Sequence, residues 1–467
     1  MDINRKTAYL VLVDVESKKA YSNLALNHQM VINKPNAPGF VRELVYGVLE
    51  NKLTLDYYID LLVKDGVKSL KTPELIILRM GVYQIAHMGS VPEYAAVNES
   101  VVLAKRYCHS KASLVNGVLR EYINKKIQLR LPARGEDEVR YLSIKYSYAP
   151  WIVEMWLDHY DIDFVEKLLA AGNETPPMTI RLNWLRVMKP DLIKNLQERG
   201  FTVEQGSLCQ NALHVKGNNL LDSDMYKLGL FTPQDESSML VAEKLNPKQG
   251  DLVLDVCAAP GGKTTAIAER MNNTGRIIAS DVYKRKLELI EKEAERLGIR
   301  NIETRSWDAT RVDSSLLQKA DRVLVDAPCS GLGVVRRKPE IKYKEYSMEM
   351  ERLPKKQLAI LSASSSYVKP GGTLLYSTCT INPEENEEVV EAFLRKNPSF
   401  EKKEKLLLLP ASLPPARQKA VTDSPEMFSD IPHHTHTCSF PPSSHRLLNI
   451  CKKICRLRDH MLRICFS

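Results

Sequence analysis

The stretch DVCAAPGGKTT, residues 255–265, follows an apolar run at 252–256 and opens into a helical pattern at 264–271. Glycines at such a turn let a ligand approach the backbone, and the helix start offers N–H groups without intrahelical partners. GGKTT has the ending of a phosphate-binding P-loop, but that motif needs a glycine five residues before Gly262, where this chain has Cys257. A dinucleotide-type GxGxxG is missing as well. What remains is a nucleoside-cofactor site at a strand-to-helix turn.

Working outward, short apolar runs recur at 276–280, 302–306, 322–325 and 373–376, separated by helical patterns. This is the βαβ rhythm of an open parallel sheet, an α/β Rossmann-like fold. In such a sheet a carboxylate at the end of the second strand hydrogen-bonds ribose hydroxyls, which is the position of Asp281. Asp308, just past the third strand, falls within reach of the base. Either acid alone is more often a solvated strand-end residue; both at successive strand ends favour a cofactor.

The fourth strand ends in Asp326 and runs into DAPCSGLGVVRRKPEIK (326–342), with Cys329 three residues past it. The fifth, GGTLLYSTCTINPEEN (371–386), ends in Cys379. The carboxyl ends of neighbouring strands form the crevice where such sheets bind ligands, so both sulfurs are expected to face one site. A free cysteine is usually a small buried hydrophobe. Two at matching positions beside a cofactor loop reverse that preference.

Upstream, residues 5–126 carry apolar side chains at helical spacing, as in Phe40, Leu44, Val45 and Val48, and no lasting strand-like alternation. Breaks at NKPNAPG (33–39), at Thr72 and Pro73 with Thr72 as the expected cap, and at 89–92 predict five or more helices. LRLPARGED (129–137) reads as a linker. A helical stretch at 146–171, strands at 178–183 and 213–215, and a helix at 190–199 make a small α+β module.

Length and composition agree with a soluble multidomain chain. The 467 residues are 44% hydrophobic and 26% charged, which excludes wholesale disorder and membrane immersion. Even the apolar run at 73–86 holds Glu74 and Arg79, and MDINRK is no secretory leader. Nine irregularly spaced cysteines point to reduced thiols in a cytoplasm. The net charge of +9 is uneven: residues 1–130 hold 18 basic against 12 acidic side chains, and 401–467 hold 11 against 6, around a nearly neutral middle. Basic ends suit a polyanionic partner, nucleic acid before membrane, although a merely soluble basic surface is as good a reading of charge alone.

The three long motifs, DVCAAPGGKTT, DAPCSGLGVVRRKPEIK and STCTINPEEN, resemble the signatures of the Nol1/Nop2/Sun (Fmu) family of S-adenosylmethionine-dependent RNA cytosine-C5 methyltransferases. The N-terminal third, with RELVYGVL, ILRMGVYQIAHM and VPEYAAVNESVVLAKR, resembles the NusB-like helical RNA-binding domain. Together they imply a NusB-like domain at 1–128, a linker at 129–140, a small α+β RNA-binding module at 141–232, a Rossmann-like methyltransferase domain at 233–405 and an atypical tail at 406–467. The implied substrate is small-subunit (16S) ribosomal RNA and the implied cofactor S-adenosyl-L-methionine. By the resemblance Cys257, Ala258, Ala259, Pro260, Gly261, Gly262, Lys263, Asp281, Asp308 and Asp326 contact that cofactor. Cys379 is the nucleophile, Cys329 assists product release and Asp326 meets the base. Arg336, Arg337 and Lys338 are then phosphate contacts, though as a lone charge run they read better as a solvated loop. No metal and no membrane are expected, and a monomer is.

The end of the chain departs from the family, whose sheet closes with an antiparallel strand pair. None is evident after Asn397, and residues 422–467 instead hold five of the ten histidines and four of the nine cysteines, Cys438, Cys451, Cys455 and Cys465. These spacings match no standard zinc pattern. The expectation is a disordered or non-native tail that leaves the sheet edge incomplete. On that basis the rival reading is a non-catalytic RNA-binding assembly factor.

Overall fold

The structure, a computed structural model, describes residues 1–408 and 459–466. Two compact units emerge: residues 1–175 with 334–346, and residues 176–333 with those described from 347 onward.

The first unit is helical, with ten α-helices between Ile3 and Gly172. Seven of them end by Lys125, in line with the expected five or more. Helix Ile3–Lys18 starts where the Asp2 carboxylate accepts the N–H groups of Asn4 and Arg5, and it buries Ala8, Val11, Leu12 and Val15 as one stripe. Helix Thr72–His87 corrects a detail: Thr72 is its first residue and Lys71 the cap, whose N–H is accepted by Glu74 at 3.0 Å. The charge noted inside that apolar run is paired, because buried Arg79 grips Asp56 through two hydrogen bonds, 2.6 and 2.7 Å, and reaches Glu16. The expected single helical stretch at 146–171 is two helices, Pro150–His159 and Ile162–Gly172, preceded by helix Glu138–Tyr146, which begins within the expected linker 129–140. Pro150 and the left-handed Ser147 make the first break.

Residues 334–346, the RRKPEIK part of the long motif, belong to this helical unit. Lys342 is the deepest of them, 1% exposed. Its ammonium donates to Glu50 O (2.7 Å), Asn173 Oδ1 (2.8 Å) and Tyr146 O (3.2 Å) and lies over the Tyr148 ring. Burial pulls its pKa down to about 7, yet three acceptors match the three N–H donors of the charged form.

The second unit holds two sheets. The smaller one comprises β1 (Thr179–Leu182), β2 (Thr202–Gln205), β3 (Ala212–Lys216) and β4 (Phe231–Pro233), antiparallel in the order β2-β3-β1-β4. The larger one contains β5 (Leu252–Asp255), β6 (Arg276–Asp281), β7 (Ile302–Ser306), β8 (Ala320–Asp326), β9 (Val368–Ser377), β10 (Phe400–Leu408) and β11 (Asp459–Phe466). Its order is β10-β11-β9-β8-β5-β6-β7, with β5 to β9 parallel. Val253, Ile277, Val323, Leu324, Leu374 and Leu375 are fully buried, the near-continuous apolar filling of strands covered on both faces. From β5 the chain winds outward to β7 and then returns to the other side of β5 with β8. The topological switch therefore lies between β5 and β8, and ligands of such sheets bind outside the strand ends there.

The expected open edge is corrected. β11 pairs antiparallel with both β9 and β10, so the sheet carries the closing pair that the sequence seemed to lack. The pattern escaped reading because β10 and β11 are separated by 50 residues, and the apolar run Met461, Leu462, Ile464 and Phe466 sits in a Cys- and Arg-rich context. Backbone pairing requires neither adjacency nor a fixed motif. Residues 409–458, with most of the tail cysteines and histidines, lie outside the described residues. Among the described residues no helix is long and apolar enough to cross a membrane, and none of the His, Cys, Asp and Glu side chains cluster as a metal site.

Candidate active site

The glycine turn after β5 is built as its sequence requires. Gly261 has φ 104°, a left-handed conformation, and a Cβ there would press on Ile290 at 3.1–3.3 Å. Its N–H bonds Ala258 O at 2.8 Å, and the N–H of Ala258 bonds Ser280 O on the next strand. The Ala259–Pro260 peptide is cis. Helix Gly262–Arg270 then starts directly from the turn, so its first N–H groups face out from the strand ends. Cys257 is half-buried, and desolvation pushes its thiol pKa upward, the behaviour of a packing residue rather than a nucleophile.

Three residues that sequence reasoning passed over hold this turn. Arg181 on β1, 1% exposed, donates to Gly262 O (2.8 Å), Thr265 Oγ1 (3.0 Å) and Gln234 Oε1, and forms a two-pronged pair with Glu269 at 2.8 and 3.0 Å. The small sheet thereby packs against the glycine turn. Only a charged residue inside a short β run, with no partner nearby in sequence, hinted at it.

Asp255, at the end of β5, is 1% exposed; its Oδ2 accepts from Thr264 Oγ1 at 2.7 Å and its Oδ1 has no hydrogen-bond partner. Burial is the main cause that raises its pKa to about 7. The native carboxyl therefore holds its proton between about pH 4 and 7, where the unfolded chain has lost it. Its contribution to stability is full below the unfolded pKa and is lost as pH rises through 7. Asp255→Asn is expected to raise the urea midpoint at pH 8 and to change it little at pH 4; equal effects at both would refute the assignment.

Asp281 and Asp308 end up at the outer strand ends. The register sets Asp281 opposite Ser306, two residues before Asp308. Asp281 Oδ1 accepts from Tyr283 N–H (2.9 Å), and Asp308 Oδ1 accepts from Thr310 N–H (3.0 Å) and Oγ1 (2.7 Å). Those Thr310 donors hold the Asp308 carboxyl below its ordinary pKa.

On the other side of β5, Asp326 ends β8 opposite Ser377 of β9. Its carboxylate takes Lys263 Nζ at 2.7 Å and Ser377 Oγ at 2.8 Å, which links the glycine turn to the cysteine strand. The two cysteines come together: Cys329 Sγ and Cys379 Sγ are 3.2 Å apart, and Cys379 N–H points at Cys329 Sγ at 3.3 Å. Gly333 makes the approach possible, since a Cβ there would meet Cys379 O at 2.8 Å. The neighbouring Cys379 sulfur, then burial, hold the Cys329 thiol well above its ordinary pKa.

The RRK run is not a free basic loop. Arg336 donates to Glu174 O (2.7 Å) and Thr175 O (3.2 Å), and its side chain is only 9% exposed. Lys338 lies over the Tyr21 ring at 5.0 Å.

A model of the 16S rRNA methyltransferases RsmB/F matches residues 242–440, a NusB-family model residues 2–124 and an RsmF/B-like ferredoxin-like domain residues 148–220. A probable ribosomal RNA small subunit methyltransferase B of Bacillus subtilis is 38% identical over 403 residues, 85% of this chain and 89% of that one. The chain belongs to the RsmB/Sun family. A relative of the same name from Synechocystis is 32% identical over 93% of this chain and 97% of its own. Solved structures share the fold seen here: PH0851 superposes with a TM-score of 0.74 at 22% identity, over 99% of this chain and 98% of that one. NSun6 from Pyrococcus horikoshii, solved with SFG, gives 0.53 at 21% identity over 67% and 97%. The NusB-like domain, the ferredoxin-like module and the Rossmann-like methyltransferase domain of the family are thus all present.

Proposed function

We propose that this methyltransferase transfers a methyl group from S-adenosylmethionine to C5 of a cytosine in small-subunit ribosomal RNA, through a covalent bond between Cys379 and C6. The observation that carries the reading is the pair of sulfurs 3.2 Å apart at neighbouring strand ends, beside a carboxylate tied to the cofactor turn. The family relatives named for small-subunit ribosomal RNA support the substrate.

The residues fit S-adenosylmethionine. Residues 257–263 form an open turn at a helix start, and Asp281 and Asp308 are acceptors at the strand ends where ribose and base of a nucleoside lie. When bound, the cofactor supplies an electrophilic methyl group. C5 of cytosine is a poor nucleophile, and addition of the Cys379 thiolate at C6 makes the ring an enamine whose C5 carries the electron pair. Asp326 hydrogen-bonds the base edge near N3 as the charge shifts. After transfer, C5 loses its proton and the Cys379 sulfur is expelled, and Cys329 assists that release. The base leaves its stack to reach the crevice, with the helical and ferredoxin-like regions holding the RNA. The protein is proposed to work as a cytoplasmic monomer. The non-catalytic alternative rested on an incomplete sheet, and β10 and β11 remove that reason.

Methyl-labelled S-adenosylmethionine incubated with small-subunit ribosomal RNA should yield labelled 5-methylcytosine; label in another base overturns the proposal. Calorimetry should give a one-site isotherm with S-adenosylmethionine and none with ATP. Asp281→Ala should weaken the former at least about tenfold, the worth of a hydrogen bond to a charged group. Binding of ATP alone would reverse the cofactor reading.

A further inference from the structure

The NPEEN segment after Cys379 has no role in the chemistry above, yet its second glutamate is among the most enclosed polar groups of the unit. Glu385 is 1% exposed and accepts four hydrogen bonds, two on each oxygen. Oε2 takes Ser330 N–H (2.9 Å) and Gln357 Nε2 (2.9 Å); Oε1 takes Ser330 Oγ and Asn382 Nδ2 (3.2 Å). A carboxylate offers about four lone-pair sites, so these four donors fill it.

Three of the four donors lead to a cysteine. Ser330 follows Cys329, and its N–H belongs to the peptide that joins them. Gln357 also donates to Pro328 O at 2.9 Å, which pins the peptide before Cys329. Because Ser330 Oγ gives its proton to Glu385, Thr380 Oγ1 donates to Ser330 Oγ (2.7 Å), and Thr380 follows Cys379. The adjacent Asn386 completes the frame: it accepts from Thr378 Oγ1 and donates to Thr380 O (3.2 Å), one residue on either side of Cys379. Both flanks of both cysteines thus end on one short turn, Pro383–Glu385, and its neighbour.

We propose that Glu385 is the positioning residue of the two-cysteine site, holding the Cys329 and Cys379 loops so that the two sulfurs meet. This rests on the covalent reading above. Glu385 touches no reacting atom; it acts through Ser330, Gln357 and Thr380. Its charge also adds to the causes that keep Cys329 a thiol, behind the Cys379 sulfur and burial.

The test uses the full chain with S-adenosylmethionine and small-subunit ribosomal RNA, beside Cys379→Ala. Since a displacement of about 1 Å can cost about 100-fold, Glu385→Ala should lower kcat by about that factor while the KM for S-adenosylmethionine stays within about twofold. Glu385→Gln should recover most of the loss, because the amide oxygen in place of Oε2 still accepts from Ser330 N–H and Gln357 Nε2, and the NH2 in place of Oε1 can donate to Ser330 Oγ. If Glu385→Ala does not fold, Ser330→Ala decides: it removes one donor and should cut kcat about tenfold at unchanged cofactor KM. Wild-type kcat in these variants with Cys379→Ala inactive overturns the positioning role alone. Methylation by Cys379→Ala overturns the covalent reading instead.

Discussion

Cys379→Ala should abolish both methyl transfer and any covalent RNA complex, whereas Cys329→Ala should block turnover while a protein–RNA adduct accumulates on denaturing gels. Removing a nucleophile that acts as one unit with its partners costs on the order of 10³-fold or more. The difference in kind follows from what the adduct needs. Forming it takes one thiolate; leaving it takes a second group that assists loss of the C5 proton and expulsion of the sulfur. The geometry supports a paired role, since the two sulfurs lie 3.2 Å apart and Cys379 N–H points at Cys329 Sγ. Packing residues alone would give modest destabilisation and retained activity for both variants. An adduct trapped by Cys379→Ala would reverse the two roles.

Arg181→Met should be strongly destabilising. It leaves the Glu269 carboxylate, 2% exposed, without its cation, and stranding one partner of a buried pair costs about 3–5 kcal/mol. Burial already raises the Glu269 pKa even with Arg181 in place, so the widowed acid should take up a proton on folding. Gly262 O and Thr265 Oγ1 lose their donor at the same time, and S-adenosylmethionine affinity should fall with stability. The double variant Arg181→Met/Glu269→Leu should regain most of the stability, because apolar replacement of a buried ion pair is often neutral, but not the cofactor affinity. Urea melts and calorimetry check both arms. Full affinity in the double variant would mean that the turn holds its shape without Arg181.

The sequence by itself determined the parallel strands, the cofactor turn and the two cysteine positions. Strand–turn–helix signals are local: a buried apolar run such as 252–256, a glycine turn and a following helix all lie within twenty residues of one another. The placement of Asp281, Asp326, Cys329 and Cys379 at strand ends follows from the same local count. Three things needed the tertiary structure. The partners of Arg181 and Glu385 lie up to 88 and 55 residues away, and no periodicity announces which donor a buried charge will meet. Arg336 reads as a free cation because sequence shows charge but not the carbonyls of 174 and 175 that occupy it. And β11 was invisible as a strand because an edge is closed by backbone hydrogen bonds, which any residue but proline can supply; what selects the strand is the unsatisfied ladder of β9 waiting beside it.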